Sequence, residues 1–143
     1  MSENRQYFSK TNDELPSNEK IIYGKINEIS FKFKTDNGVF SKDFLDFASK
    51  LLLEKMDFDS ILDGAILDVG CGYGPIGIYA SYITKKAVVM LDINPRAISL
   101  SKENLRLNNV EATVLESDCL DNVSDKKFAC VITNPPIHAG KNV

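Results

Sequence analysis

The sequence predicts an α/β domain built on a parallel sheet, and three observations carry that expectation. Short apolar runs alternate with segments of helical spacing. A glycine cluster follows the first of those runs, and an acidic residue ends the second. Buried strands alternating with helices of this length are the pattern of a parallel sheet covered on both faces.

In chain order, residues 1–20 are rich in Asn, Ser, Asp, Glu and Lys and read as a flexible arm. Ile21-Ile22-Tyr23 and Ile29-Ser30-Phe31-Lys32-Phe33-Lys34 follow, the second alternating apolar and polar residues as a half-buried strand does. Asp36-Asn37-Gly38 is a turn before Val39-Phe40. Ser41 caps a helix expected over 42–55, with Asp43 and Asp46 early in it and Phe44, Phe47, Ala48, Leu51 and Leu52 at helical spacing. Ala65-Ile66-Leu67-Asp68-Val69 is the first strand of the parallel sheet, followed by a helix over about 75–83. Ala87-Val88-Val89-Met90-Leu91 is the second strand, ending at Asp92. Asn94-Pro95 caps and starts a helix that runs to about Leu107. Ala112-Thr113-Val114-Leu115 is a third strand, and residues 128–132 are a fourth.

With 143 residues, the chain has room for one domain: an N-terminal hairpin-and-helix extension over 21–60 and a core over 61–143. Seventeen Lys and Arg against 20 Asp and Glu give a net charge of −3, which excludes a blanket basic coat for gripping phosphates. The polar start lacks a signal peptide's apolar core, and no apolar run is long enough for a membrane helix. Cys71, Cys119 and Cys130, an odd number in or beside apolar stretches, read as reduced and mostly buried thiols of a cytoplasmic protein. No metal site and no membrane partner are expected.

The segment Asp68-Val69-Gly70-Cys71-Gly72-Tyr73-Gly74-Pro75-Ile76-Gly77 joins the first strand to its helix. Glycines there let the backbone turn sharply and let a ligand lie where a Cβ would clash. Asp92, ending the next strand, stands where an acid accepts hydrogen bonds from both ribose hydroxyls of an adenosine. The bland reading, a tight strand-to-helix turn, does not account for Asp92. Gly72, Gly74 and Gly77 also spell the dinucleotide pattern. A carboxylate from Asp68 at the mouth of the loop would repel a pyrophosphate that needs the helix N-terminus. The same charge would help S-adenosylmethionine, which carries an ammonium and a sulfonium and no phosphate.

The fourth strand runs into Asn134-Pro135-Pro136-Ile137. Prolines cannot donate to a ladder, so the strand must stop, and the corner holds the Asn134 and neighbouring backbone carbonyls in fixed directions. Such acceptors suit a planar exocyclic NH2. A strand-terminating turn is the plainer reading, weighed against its place at the carboxyl edge beside the glycine loop.

Together these residues resemble the class I S-adenosylmethionine-dependent methyltransferases, a Rossmann-like doubly wound fold. Asp68-x-Gly70-x-Gly72-x-Gly74 looks like their first motif, Asp92 like their ribose-binding acid, and Asn134-Pro135-Pro136 like the motif of the branch that methylates planar amino nitrogens. Ser117-Asp118-Cys119 looks like the segment whose acid meets the adenine amino group. The finer similarity, over Gly38-Val39-Phe40-Ser41, Asp46 and the ending Asn134-Pro135-Pro136-Ile137-His138-Ala139-Gly140-Lys141, is to the small-subunit ribosomal RNA guanine-N2 methyltransferases. The resemblance implies a cofactor set of Asp68, Gly70, Cys71, Gly72, Gly74, Asp92, Ile93, Asp118 and Asn134, with the Cys71 thiol a buried filler rather than a nucleophile. It implies Asn134 and Pro135 as the catalytic pair, and Pro136, Ile137 and His138 against the substrate. Ile137 stands where many relatives have an aromatic. The family's sheets have seven strands, so the chain reads as lacking the last strands of the fold.

The implied reaction is direct in-line methyl transfer to guanine N2 of ribosomal RNA, naked or in the ribosomal subunit, with nitrogen and methyl held about 3 Å apart. A paired target base would have to be extruded. An adenine- or protein-amide-directed N-methyltransferase uses the same Asn-Pro-Pro logic. A nicotinamide-dependent oxidoreductase and a truncated, inactive binding module are the readings from other classes.

Overall fold

The structure is a computed structural model, and it describes residues 18–36, 47–117 and 128–133, the first three residues of the middle segment by backbone alone. Two strands, β1 (Lys20–Ile26) and β2 (Ile29–Thr35), form an antiparallel hairpin with Ile22 opposite Phe33 and Ile26 opposite Ile29. Its two-residue turn holds Asn27 and Glu28 at φ 49° and 68°, the left-handed pair that a tight hairpin requires. The Asn27 side-chain amide donates to the Tyr79 hydroxyl at 2.8 Å, pinning the turn to the core. Alternation turns Ile22, Ile26, Phe31 and Phe33 inward. Phe31 meets Tyr79 edge-on with centroids 5.8 Å apart, and Phe33 meets Tyr73 at 5.5 Å.

Helix α1 (Phe47–Lys55) and a 3-10 turn at Phe58–Ser60 lead to the sheet. The expected helix start, with Ser41, Asp43, Phe44 and Asp46, lies outside the described residues, as does Phe40. Four strands follow: β3 (Ile66–Val69), β4 (Val88–Asp92), β5 (Thr113–Glu116) and β6 (Cys130–Thr133). Between them stand α2 (Pro75–Thr84) and α3 (Pro95–Leu107). β2, the four sheet strands and the two helices between them fall within a residue or two of the positions their patterns predict, whereas β1 runs three residues past the expected Ile21-Ile22-Tyr23. Asn94 caps α3 as expected, its side chain accepting from the Arg96 amide at 2.9 Å with Pro95 in the first turn.

The sheet order is β5-β4-β3-β6, and every neighbouring pair is parallel. β3, β4 and β5 are added in one direction, and β6 then pairs with the other side of β3. Ligands of such sheets bind beyond the carboxyl ends at that reversal. The glycine loop leaves β3 there. Thr133 pairs with Val69, so the chain also leaves β6 beside the start of the loop.

The strand alternation sorts the core into two clusters. Ile66, Val88, Met90 and Ile132 join side chains of α1, α2, α3 and the hairpin in the larger one. Leu67 and Leu91 form the smaller on the opposite face with Val69, Val89, Leu115 and Phe128. Asp68 is two residues from Ile66 and in register with Met90, so it shares the helix-covered face. No helix among the described residues is long and apolar enough to cross a membrane.

Candidate functional site

The glycines of the loop divide into two kinds. Gly70 and Gly72 lie at φ 73° and 58°, in the left-handed region, and a Cβ added to either would meet nothing within 4 Å among the described residues. They leave an open side where another molecule can lie against the backbone. A Cβ on Gly77 would sit 2.6 Å from Met90 Cγ, and one on Gly74 would sit 3.1 Å from Ile78 Cδ1. Those two let α2 pack close against β4.

The end of β4 holds the loop in place. The amides of Gly70 and Cys71 both donate to the Leu91 carbonyl at 2.8 Å. The Gly72 amide donates to Asp92 Oδ2 at 2.8 Å, and the Asn94 amide donates to Asp92 Oδ1 at 2.9 Å. The half-buried Asp92 carboxylate therefore sits against the lip of the glycine loop with lone pairs left over. Beside it Ile93 is 49% exposed, an apolar surface next to the acid.

Asp68 corrects an expectation. Its carboxyl is not at the mouth of the loop: the residue is 0% exposed, and Oδ2 accepts the Gly77 amide at 3.0 Å. The cause is the alternation of β3, which turns Asp68 under α2 with Ile66. Burial pushes its pKa up to about 7, against the Gly77 hydrogen bond and with the Asp92 charge. Its other oxygen, Oδ1, has no hydrogen-bond partner among the described residues. As placed, Asp68 offers no exposed surface and ties β3 to α2.

Cys71 needs a similar correction. Its thiol is buried, 3.4 Å from Ser101 Oγ, and burial, then the Asp68 charge, push it well above the ordinary thiol range. A protonated buried thiol is the filler the sequence suggests, so the side chain is removed from the cofactor contacts. Cys130 is half-buried rather than fully so, and Cys119 lies outside the described residues. Asp118, Asn134, Pro135, Pro136, Ile137, His138 and Lys141 lie outside them too.

Reading the sequence missed two residues on α3. Ser101 and Asn104 are fully buried and donate to loop carbonyls, Gly72 O at 2.9 Å and Tyr73 O at 2.8 Å. The available signal was two polar residues, three apart, on the same helix face as Ala97 and Leu105. A separate cleft of about 560 Å³, lined by Tyr82, Lys85, Val88, Asn109 and Thr113 among others, opens where β4 and β5 begin, at the opposite edge from Gly72 and Asp92.

The family described as the methyltransferase small domain matches residues 30–143. The chain is 42% identical over 141 residues to the uncharacterized protein YbxB of Bacillus subtilis, covering 96% of this chain and 70% of that one. It is 42% identical over 117 residues to ribosomal RNA small subunit methyltransferase C of Pseudoalteromonas atlantica, covering 81% of this chain and 33% of the relative. Among solved structures it is similar to the T. thermophilus 16S rRNA N2 G1207 methyltransferase in complex with AdoMet and guanosine, with a TM-score of 0.78 and 28% identity over 89% of this chain and 35% of that one. The chain thus spans about a third of those two ribosomal RNA methyltransferases.

Proposed function

The chain belongs to the methyltransferase small domain family, and from that premise we propose that the protein uses S-adenosylmethionine to methylate an exocyclic amino nitrogen of small-subunit ribosomal RNA, guanine N2 in particular. The observation that carries the cofactor reading is the open side of Gly70 and Gly72 next to the Asp92 carboxylate. A nucleoside can lie against that backbone, with its ribose hydroxyls donating to Asp92 and its base against exposed Ile93. Asp68 occupies the Gly77 amide in the first turns of α2, which disfavours a pyrophosphate and with it the nicotinamide reading.

When bound, the cofactor supplies a methyl group on a sulfonium leaving centre. Asp92 orients the nucleoside by two charge-assisted hydrogen bonds. Asn134 and the Pro135 carbonyl accept hydrogen bonds from the target amino group and turn its nitrogen lone pair toward the methyl. These acceptors bind the nitrogen more strongly as it gains positive charge, which lowers the barrier, and the methylated nitrogen then releases one proton to solvent. Pro136, Ile137 and His138 line the base side, and Asp118 meets the adenine amino group. No side chain is needed as a covalent nucleophile.

The guanine preference rests on the similarity to the guanosine-bound T. thermophilus enzyme and on the Asn134-Pro135-Pro136 ending. Its test is transfer of a labelled methyl group by the full-length protein to small-subunit ribosomal RNA, followed by nucleoside analysis. N2-methylguanosine is the expected product. Label in adenosine, or in glutamine of added protein, would replace the guanine reading with its relatives.

A further inference from the structure

We infer that Ser101 and Asn104 of α3 are positioning residues that hold the glycine loop in its ligand-accepting shape and link it to the N-terminal hairpin. The inference rests on the proposed cofactor site and adds residues that do not themselves touch the ligand.

The loop's polar backbone groups show how this works. On one side its amides face the end of β4: Gly70 and Cys71 donate to the Leu91 carbonyl, and Gly72 donates to the Asp92 carboxylate. On the other side its carbonyls face α3: Gly72 O accepts the Ser101 hydroxyl and Tyr73 O accepts the Asn104 amide. The two peptide groups flanking the Gly72 Cα are thus each held, one by Asp92 through the Gly72 N–H and the other by Ser101 through the Gly72 C=O. Asp92 is also the acceptor proposed for ribose. Ligand hydroxyls would draw on the lone pairs that carboxylate has left, whereas the α3 bonds lie on the protein side of the loop and do not involve the ligand. Ser101 and Asn104 therefore keep the open side of Gly70 and Gly72 from collapsing as Asp92 takes on further partners.

Asn104 extends the link. Its Oδ1 accepts the Lys34 amide at 2.7 Å, and its Nδ2 donates to the Lys34 carbonyl at 3.0 Å as well as to Tyr73 O. One buried carboxamide joins the backbone of β2 to the backbone of the loop, and the Phe33 ring packs on Tyr73 alongside it. Asn108, one turn further, grips Lys32 of β2 in the same manner, its Oδ1 accepting at 3.2 Å and its Nδ2 donating at 2.8 Å. Its Nδ2 also donates to the Asn104 carbonyl at 2.9 Å, but it has no hydrogen bond to the loop among the described residues, so its side chain anchors the hairpin and not the loop directly.

The experiment measures two quantities on wild type, Ser101→Ala, Asn104→Asp and Asn108→Ala of the full chain: binding of S-adenosylhomocysteine by calorimetry, and hydrogen exchange of the Gly72 amide without ligand. Ser101→Ala and Asn104→Asp should bind about tenfold more weakly or worse, a loss of at least one hydrogen bond's worth of affinity. Their Gly72 amides should exchange faster while Leu67 and Met90 in the core strands keep wild-type protection. Asn108→Ala should leave both readings unchanged. Wild-type affinity and Gly72 protection in Ser101→Ala would overturn the inference even if Asn104→Asp failed to fold. Should wild type fail to bind, the cofactor reading falls, and the Gly72 exchange rates still decide whether α3 positions the loop.

Discussion

Asp68 Oδ2 accepts the backbone N–H of Gly77 at 3.0 Å, so the carboxyl that opens the glycine motif ties β3 to α2 from beneath the loop. The residue is 0% exposed, and its pKa stands near 7 against an ordinary 3.8. The folded state therefore holds its proton more tightly than the unfolded state does.

That raised pKa makes stability fall as pH rises. Below about pH 4 both states are protonated and the neutral acid is buried at no ionic cost. From there to about pH 7 the unfolded chain has released the proton and the folded chain has not, and stability declines by up to about 4 kcal/mol from this group. Asp68→Asn keeps an acceptor for Gly77 and removes the titration. Denaturant melts from pH 4 to pH 8 should show wild type losing stability relative to Asp68→Asn across that window. Parallel curves would contradict the assignment.

The same titration should reach the ligand. An ionised Asp68 attracts a sulfonium through the loop, and a protonated one does not. The affinity of S-adenosylmethionine relative to S-adenosylhomocysteine, which lacks the sulfonium charge, should rise between pH 6 and pH 8. Calorimetry at both ends reads the ratio, and a constant ratio would remove the electrostatic role of Asp68.

Gly72 and Gly77 should fail in different ways. Gly77→Ala places a Cβ 2.6 Å from Met90 Cγ and should destabilise the fold by about 1–3 kcal/mol. Gly72→Ala meets no atom within 4 Å among the described residues, but it puts a side chain at φ 58° on the ligand side. It should cost about 1–2 kcal/mol in stability and reduce cofactor affinity by a larger factor than Gly77→Ala does. Thermal melts and ligand titrations on the two variants measure both effects.

Asn134→Ala in the full-length protein should lose far more turnover than cofactor affinity, because its acceptors act on the amine. Single-turnover methyl transfer beside equilibrium binding separates these quantities. Intact binding with unchanged turnover would refute the role.

Much of this architecture was legible because each core strand is a short, nearly continuous apolar run that ends in punctuation. Val69 gives way to Gly70, and Leu91 to Asp92 followed by the Asn94 cap. The place of Asp92 beside the glycine loop was legible because a strand end in that position is set by the fold. The direction in which Asp68 points was not. It depends on which face of β3 the helices cover, and a buried strand with apolar residues on both faces does not display that in its pattern. Ser101 and Asn104 were missed because they serve the loop through its backbone carbonyls, which carry no residue-type signature.

The most direct test of the proposed cofactor site is a calorimetric titration of the full-length protein with S-adenosylmethionine and, separately, with NADH, repeated on Asp92→Asn. Saturable uptake of S-adenosylmethionine alone, weakened at least about tenfold by the substitution, is the predicted result. Uptake of NADH with no heat from S-adenosylmethionine would contradict it.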